Sequence, residues 1–290
     1  MTAIVLDGKT MAQEIENELL ERIGILATLG TVPCLAVVIA GNDPASHVYV
    51  RNKEAACSRL GVMSIRIDLP ESVSQKELMD VVSELNNDEK IHGILVQSPL
   101  PKGLDEFEVT ESISPEKDVD GFHPSNLGRL VMGLDGGFLP CTPAGIMEII
   151  ERSGTVTSGK SSVVLGRSRI VGMPLSLMLA MKGVDSTVTV VHSKSVEPRE
   201  ICKAADILVS AVGVPGIVKA DWIKEGATVI DVGINRVLDN SKKSGSRIIG
   251  DVDEGAWGVA GRMTPVPGGV GPMTIAMLMK NTVISAERKS

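Results

Sequence analysis

Residues 34–61 read Cys34-Leu-Ala-Val-Val-Ile-Ala40-Gly, then Asn42-Asp-Pro-Ala-Ser-His-Val-Tyr49-Val-Arg-Asn-Lys53-Glu-Ala-Ala-Cys-Ser-Arg-Leu60-Gly61. The first part is an unbroken apolar run, the pattern of a parallel strand covered on both faces. The second reads as one helix. Asp43 suits the N-cap, Pro44 the first helical position, and Gly61 a left-handed C-terminal stop. At about 100° per residue, Ala45, Tyr49, Lys53, Ala56 and Leu60 fall on one stripe, which is expected to face the interior. Lys53 then sits among apolar neighbours, four residues beyond Tyr49. Lost solvation there disfavours the charged amine and brings it toward a pKa useful for proton transfer. The competing reading is a lysine that snorkels its ammonium to water over the edge of the stripe.

Outward from this stretch the same alternation continues. Residues 10–29 carry Met11, Ile15, Leu19, Ile23 and Leu26 at helical spacing and stop at Gly30. Met63, Ile65 and Ile67 alternate as a second strand. Ser74 with Glu77 makes a capping box for a helix bearing Leu78, Val81, Val82 and Leu85. A third strand over 91–96 ends at Gln97-Ser-Pro-Leu-Pro101, where two prolines stop it. Strand, helix, strand, helix, strand makes a parallel sheet, whose ligands gather beyond the carboxyl ends of the strands. Lys53 and Gln97 both belong to that end. Residues 102–141 read as loop-rich. They include Ser114-Pro-Glu-Lys-Asp118-Val-Asp120-Gly-Phe122, by default a solvated acidic loop with Asp118 and Asp120 at alternate positions. Thr142 and Pro143 open a helix carrying Ile146, Ile149 and Ile150 to Gly154, the expected bridge between two domains.

A second α/β block starts with a strand over 162–165 and the turn Gly166-Arg-Ser-Arg-Ile-Val-Gly172-Met-Pro174. An apolar helix to Gly183 and a strand over 187–191 follow. This is the arrangement that places a dinucleotide pyrophosphate on a helix N-terminus. The glycines are not spaced as Gly-x-Gly-x-x-Gly, so the turn alone also fits a tight strand-to-helix connection. The next strand ends in His192-Ser193-Lys194 instead of the acidic residue that holds the ribose hydroxyls of NAD. With Arg167 in the first turn, that set suits the extra phosphate of NADP, so NADP is preferred to NAD. Further strands are expected over 207–211 and 228–232, the latter running into Asp231-Val-Gly-Ile234-Asn235. Thr264-Pro-Val-Pro267-Gly-Gly-Val-Gly271-Pro-Met-Thr274 is a rigid glycine-rich loop opening a helix toward Arg288; its amides can serve an anion or a polar ring, or only a packed turn. Residues 239–246 read as a mobile surface loop.

Composition removes other classes. A net charge of −7 favours neither nucleic acid nor an anionic membrane as partner, and three Phe, two Trp and one Tyr leave little for base stacking. Apolar residues at 43% fit a globular α/β chain with one large or two ordinary domains. Cys34, Cys57, Cys141 and Cys202 make no Cys-x-x-Cys pair and read as buried free thiols of a reducing compartment. His47, His92, His123 and His192 form no ligand pair, so no metal site is expected. No basic leader with an apolar run and no stretch of about 18 apolar residues is present, which points to the cytoplasm.

Five motifs taken in order are more specific than any one: Tyr49-x-x-x-Lys53, Gln97-x-Pro-Leu-Pro101, Pro115-Glu-Lys-Asp-Val-Asp-Gly-Phe122, Gly166-Arg-Ser-x-x-Val-Gly-x-Pro174 and Pro265-Val-Pro-Gly-Gly-Val-Gly-Pro-Met-Thr274. Together they resemble the bifunctional methylenetetrahydrofolate dehydrogenase/cyclohydrolase family, from about Asp7 to Thr282. Ser98, where the family commonly has leucine, and Gly213-Val-Pro-Gly216, where a lysine commonly follows the first glycine, depart from it. The resemblance implies NADP-dependent oxidation of methylenetetrahydrofolate to the methenyl cation and hydrolysis of that cation to formyltetrahydrofolate. It implies Lys53 for proton transfer, Gln97 to fix its amine, Asp120 on the pterin N–H groups and Tyr49 stacked on the folate. Pro267, Gly268, Gly269, Val270 and Gly271 would line the folate site; Gly166, Arg167, Ser168, Ser193 and Ile234 would hold the cofactor. The implied architecture is a folate-binding domain of residues 1–141 completed by a C-terminal helix over 272–290, a Rossmann-like NADP domain of residues 142–271, a cleft between them, and a homodimer. Two rivals stay open. A dehydrogenase of a shikimate-type alcohol does not explain the Asp118–Phe122 and Pro265–Thr274 motifs, and a dinucleotide-binding regulator without turnover would lack one of Lys53, Gln97 or Asp120.

Overall fold

The structure, a computed structural model, describes residues 2–239, 241–242 and 245–290. In chain order the elements begin β1 (Ile4–Val5), α1 (Gly8–Thr28), β2 (Cys34–Ala40), α2 (Pro44–Leu60), β3 (Met63–Leu69), α3 (Gln75–Asn87), β4 (Gly93–Val96), α4 (Glu106–Ser112), α5 (Pro124–Met132) and α6 (Cys141–Arg152). They continue β5 (Ser161–Leu165), α7 (Gly172–Ala180), β6 (Thr187–Val191), α8 (Pro198–Lys203), β7 (Ile207–Ser210), β8 (Thr228–Asp231), β9 (Asn235–Leu238), β10 (Ser246–Ile249), β11 (Arg262–Met263) and α9 (Val270–Glu287). Of the loop expected at 239–246, Asn240, Lys243 and Ser244 lie outside the described residues. Among the described residues no helix is long and apolar enough to cross a membrane.

The chain forms two compact units. One comprises Gln13–Cys141 and Ile275–Ser290. Its sheet is parallel in the order β3-β2-β4, and every residue of the central strand β2 is buried, as its unbroken apolar run requires. The α3 capping box is present: Ser74 accepts from the Glu77 amide, and the Glu77 carboxylate accepts from Ser74 N at 2.8 Å. Leu78, Val82 and Leu85 of α3 pack with Ala36, Val38 and Ile94 in the core of this unit.

Helix α2 is capped as its sequence requires. Asp43 accepts from Ser46 N at 2.8 Å, and Gly61 takes φ 74°. Its buried stripe differs from the expected one: Ser46, Val50, Ala56, Cys57 and Leu60 are buried, whereas Ala45 is exposed and Tyr49 is 39% exposed. In the first turns of α2 only Ser46 and Val50 are buried, whereas beyond Lys53 Ala56, Cys57 and Leu60 are. Loss of the cap in Asp43→Ala should cost about 1 kcal/mol, read as a lower midpoint in urea unfolding.

Residues 102–141 are not chiefly loop. They hold α4, capped by Asp105, and α5, which starts at Pro124 behind the cap His123 and stops at Gly133 with φ 63°. The acidic segment between them is the reverse of a solvated loop, because Asp118 is 2% exposed. It adds to the sheet edge through Ile94 N, which donates to Lys117 O at 2.8 Å.

The second unit comprises the N-terminal segment through Ala12 together with Thr142–Thr274. The first strand groups here, not with the domain expected over 1–141, because β1 pairs with β11. The sheet is parallel in the order β1-β11-β8-β7-β5-β6. Its interior is aliphatic, with Val163, Leu165, Leu208 and Val229 in one cluster. An antiparallel ribbon of β9 and β10 follows β8.

Candidate active site

The centre of the first unit is built from four segments. Lys53 lies on α2, Gln97 just beyond β4, Asp120 in the turn after Lys117, and Cys141 opens α6. Gln97 N donates to Val38 O at 2.8 Å, tying the residue to the central strand. Its side-chain Nε2 donates to Ser98 O at 2.6 Å, which orients the amide and leaves Oε1 to accept from Lys53 Nζ at 2.9 Å. The expected contact between Lys53 and Gln97 is therefore made.

Asp120 supplies the opposing charge. Burial pulls the Lys53 pKa below that of a free lysine, while the Asp120 carboxylate pulls it back up. Burial likewise raises the Asp120 carboxyl, against lowering by the Lys53 charge and by a hydrogen bond with the Cys141 thiol. Burial thus pushes both groups toward their neutral forms, and the charge of each opposes that shift in the other. Lys53 is half-buried and its Nζ is bonded to Gln97 Oε1, a partner the snorkelling reading does not call for.

Cys141 was not among the expected site residues. Its thiol is fully buried, donates to Val119 O at 3.2 Å, and is pushed well above the ordinary thiol range by burial first and by the Asp120 charge second. It is a neutral donor in this setting, not a nucleophile. All four cysteines are free and buried. The signal that could have found Cys141 is its place, in the first turn of a helix entered through Leu139-Pro140.

Backbone contacts fix the turn that carries Asp120. Cys141 N donates to Asp120 O at 3.2 Å and Asn281 Nδ2 to Val119 O at 2.8 Å. Gly121 has φ 80°, and a Cβ there would stand 2.5 Å from the Leu139 carbonyl carbon. Gly121→Ala should therefore unfold at lower temperature, with a loss of at least about 2 kcal/mol from strain and overlap combined, measured by thermal melting.

In the second unit the expected cofactor residues follow parallel strands at their carboxyl ends: Gly166, Arg167 and Ser168 after β5, Ser193 after β6 and Ile234 after β8. Gly166 has φ 120°, and a Cβ there would stand 2.3 Å from Ala211 O, so the turn admits glycine alone. Ser168 Oγ accepts from Val171 N at 3.2 Å and Gly172 N at 3.3 Å, shaping the entrance to α7. Arg167, Ser168, Ser193 and Lys194 are exposed around this turn. An open glycine turn with hydroxyl and cationic donors and no carboxylate at the end of β6 fits a phosphorylated dinucleotide. Residues 267–271 follow β11 and run into α9, and a Cβ at Gly8 would stand 1.8 Å from Gly269 O, so this loop is packed directly on the start of α1. Tyr49 stands one turn before Lys53 on the exposed part of α2.

These features are those of an α/β chain with a dinucleotide-type glycine turn in one unit and a lysine–carboxylate pair in the other. Residues 6–120 match the model of the tetrahydrofolate dehydrogenase/cyclohydrolase catalytic domain, and residues 140–290 that of the tetrahydrofolate dehydrogenase/cyclohydrolase NAD(P)-binding domain. The bifunctional protein FolD of Chlorobium chlorochromatii is 53% identical over 290 residues, with 98% of each chain covered. Among solved structures, the bifunctional FolD methylenetetrahydrofolate dehydrogenase/cyclohydrolase of Campylobacter jejuni is 44% identical, with a TM-score of 0.94 over 99% of this chain and 100% of that one. The Trypanosoma brucei methylenetetrahydrofolate dehydrogenase-cyclohydrolase, solved with NADP and an inhibitor, is 42% identical, with a TM-score of 0.95 over 99% and 98%. The chain belongs to the tetrahydrofolate dehydrogenase/cyclohydrolase family and is a bifunctional enzyme of folate one-carbon metabolism, a dehydrogenase and a cyclohydrolase.

Proposed function

We propose that one folate site, centred on Lys53, serves both reactions of the chain, NADP-dependent oxidation of 5,10-methylenetetrahydrofolate and hydrolysis of the methenyl product to 10-formyltetrahydrofolate. The observation that carries this reading is the amine of Lys53 held 2.9 Å from Gln97 Oε1 with Asp120 as its counter-charge. Bound NADP would supply the acceptor for the hydride of the bridging folate carbon. Asp120 accepts from adjacent pterin N–H groups, and Tyr49 covers the ring. In hydrolysis, the free amine of Lys53 takes a proton from the attacking water and returns it to the departing nitrogen; Gln97 holds the amine on that path. Pro267, Gly268, Gly269, Val270 and Gly271 are proposed as further folate-binding residues, acting through backbone groups. Gly166, Arg167, Ser168, Ser193 and Ile234 hold the dinucleotide, with Arg167 and Ser193 on its ribose phosphate.

The assay that tests this supplies methylenetetrahydrofolate with NADP or with NAD and follows reduced cofactor and methenyl decay. Faster reduction of NADP and disappearance of the methenyl species are expected; reduction without hydrolysis would refute the bifunctional site. Arg167→Ala should weaken NADP far more than NAD, by roughly the 1.5–3 kcal/mol of a hydrogen bond to a charged group. Equal losses would remove Arg167 from phosphate recognition. The working form proposed is a cytoplasmic homodimer. Support comes from the free buried thiols and from the apolar side chains on the β9–β10 ribbon, Leu238 at 92% and Ile248 at 39% exposure. A monomer mass in light scattering would reject that assembly.

A further inference from the structure

Asp118 is buried at 2% exposure and has four donors aimed at it. Its Oδ1 accepts from Gly121 N and Phe122 N, each at 3.2 Å; its Oδ2 accepts from His123 N at 2.7 Å and Asn126 Nδ2 at 2.8 Å. Three of those donors are backbone amides immediately after Asp120. The fourth belongs to Asn126, which also donates to Pro115 O at 2.9 Å and accepts from Phe138 N at 3.3 Å. The preceding residue is anchored as well: Lys117, 2% exposed, donates from Nζ to Leu85 O at 2.9 Å, Asn86 O at 2.7 Å and Asp88 O at 2.8 Å, at the C-terminal end of α3.

These contacts have a common object. Residues 119–121 are spanned by a carboxylate that gathers the amides on their far side, while Lys117 holds their near side against a helix end. The short loop between carries Asp120, and its backbone O accepts from Cys141 N at 3.2 Å. Inside the turn Gly121 N also donates to Asp118 O at 3.1 Å and Val119 N to Lys117 O at 2.9 Å; the side-chain bonds of Asp118 and Lys117 add to these in fixing where the loop stands.

We infer that Asp118 is the positioning residue of the folate site: it acts through Asp120, setting where that carboxylate stands relative to Lys53 and the pterin, without touching substrate itself. This rests on the folate-binding role of Asp120 proposed above. An asparagine at 118 cannot do the same work in either orientation. With its amide nitrogen on one side it meets His123 N–H and Asn126 Nδ2; on the other it meets Gly121 N–H and Phe122 N–H, donor against donor in both cases.

The test is a double-substitution cycle on the full-length protein. The variants are Asp118→Asn, Asp120→Asn and both together, with the KM for methylenetetrahydrofolate, the KM for NADP and the melting temperature measured for each. The expected result is a rise of roughly tenfold to a hundredfold in the folate KM for Asp118→Asn, an unchanged NADP KM, and no further rise when Asp118→Asn is added to Asp120→Asn. A merely structural carboxylate would show the same loss in both backgrounds. That result, or an unchanged folate KM in Asp118→Asn, would overturn the inference. An unchanged folate KM in Asp120→Asn would instead refute the role of Asp120 on which it rests. Should Asp118→Asn fail to fold, Asn126→Ala keeps the carboxylate and removes one of its donors. The same cycle is then read with Asn126→Ala, with a smaller rise in KM expected and the same two outcomes against the inference.

Discussion

Lys53→Met is expected to reduce cyclohydrolase turnover by about a hundredfold to ten-thousandfold, the usual worth of general acid–base help, while a measurable part of the dehydrogenase survives. Hydride transfer requires the folate carbon and the nicotinamide to be held face to face, and no side chain has to take a proton from that carbon. Hydrolysis moves a proton twice. Methionine keeps the stem and removes only the amine that Gln97 Oε1 accepts from. The fold should tolerate the change. Because burial lowers the Lys53 pKa, its contribution to stability is present above the pKa of an unfolded lysine and is lost as the pH falls through the lower folded value. Removing the amine takes away a desolvation cost and, with it, the charge that lowers the Asp120 pKa, and these opposing effects should leave the melting temperature near that of the unaltered protein. Separate measurements of NADPH formation and methenyl decay decide the matter: hydrolysis at the unaltered rate would remove Lys53 from the mechanism.

Asp120→Asn should damage folate binding and leave NADP binding intact. The carboxylate offers two acceptors to adjacent N–H groups; the amide offers one acceptor and a donor that opposes the second N–H. A loss of roughly 1.5–3 kcal/mol in folate affinity follows, read by calorimetric titration with folate and with NADP on the same protein. The substitution also acts on Lys53. The Asp120 charge is what raises the amine against burial, so its removal lets the Lys53 pKa fall further. At saturating folate, the rising limb of cyclohydrolase activity with pH should move to lower pH in Asp120→Asn. A limb that stays in place, or moves up, would mean that the two groups are not coupled.

The fold was legible where burial leaves a run or a period. The Cys34–Ala40 strand stands where its apolar run puts it, and the Ser74–Glu77 box caps α3. Two-residue strands such as β1 and β11 leave no period to read, and they are what brings the N-terminal segment to the second unit. Helices α4 and α5 are short, although Asp105, and His123 followed by Pro124, are readable caps. Of the candidate site, Lys53, Gln97 and Asp120 are named by motifs alone, and in the structure Lys53 Nζ donates to Gln97 Oε1 while the Asp120 charge acts on the same amine. The burial of Lys117 and Asp118 was not legible, since their partners are chiefly backbone groups from distant or irregular segments, and a backbone amide has no residue type. Cys141 was missed for a related reason. A thiol reads as a small apolar group until the carboxyl beside it is seen.

One folate site is proposed to serve both reactions. The most direct test is the inhibition constant of one non-reacting folate analogue, determined in the dehydrogenase and in the cyclohydrolase assay at the same saturating NADP. One site predicts competitive inhibition of both reactions with a single constant, and a parallel rise in both constants in Asp120→Asn. Two different constants, or a rise confined to one reaction, would contradict it.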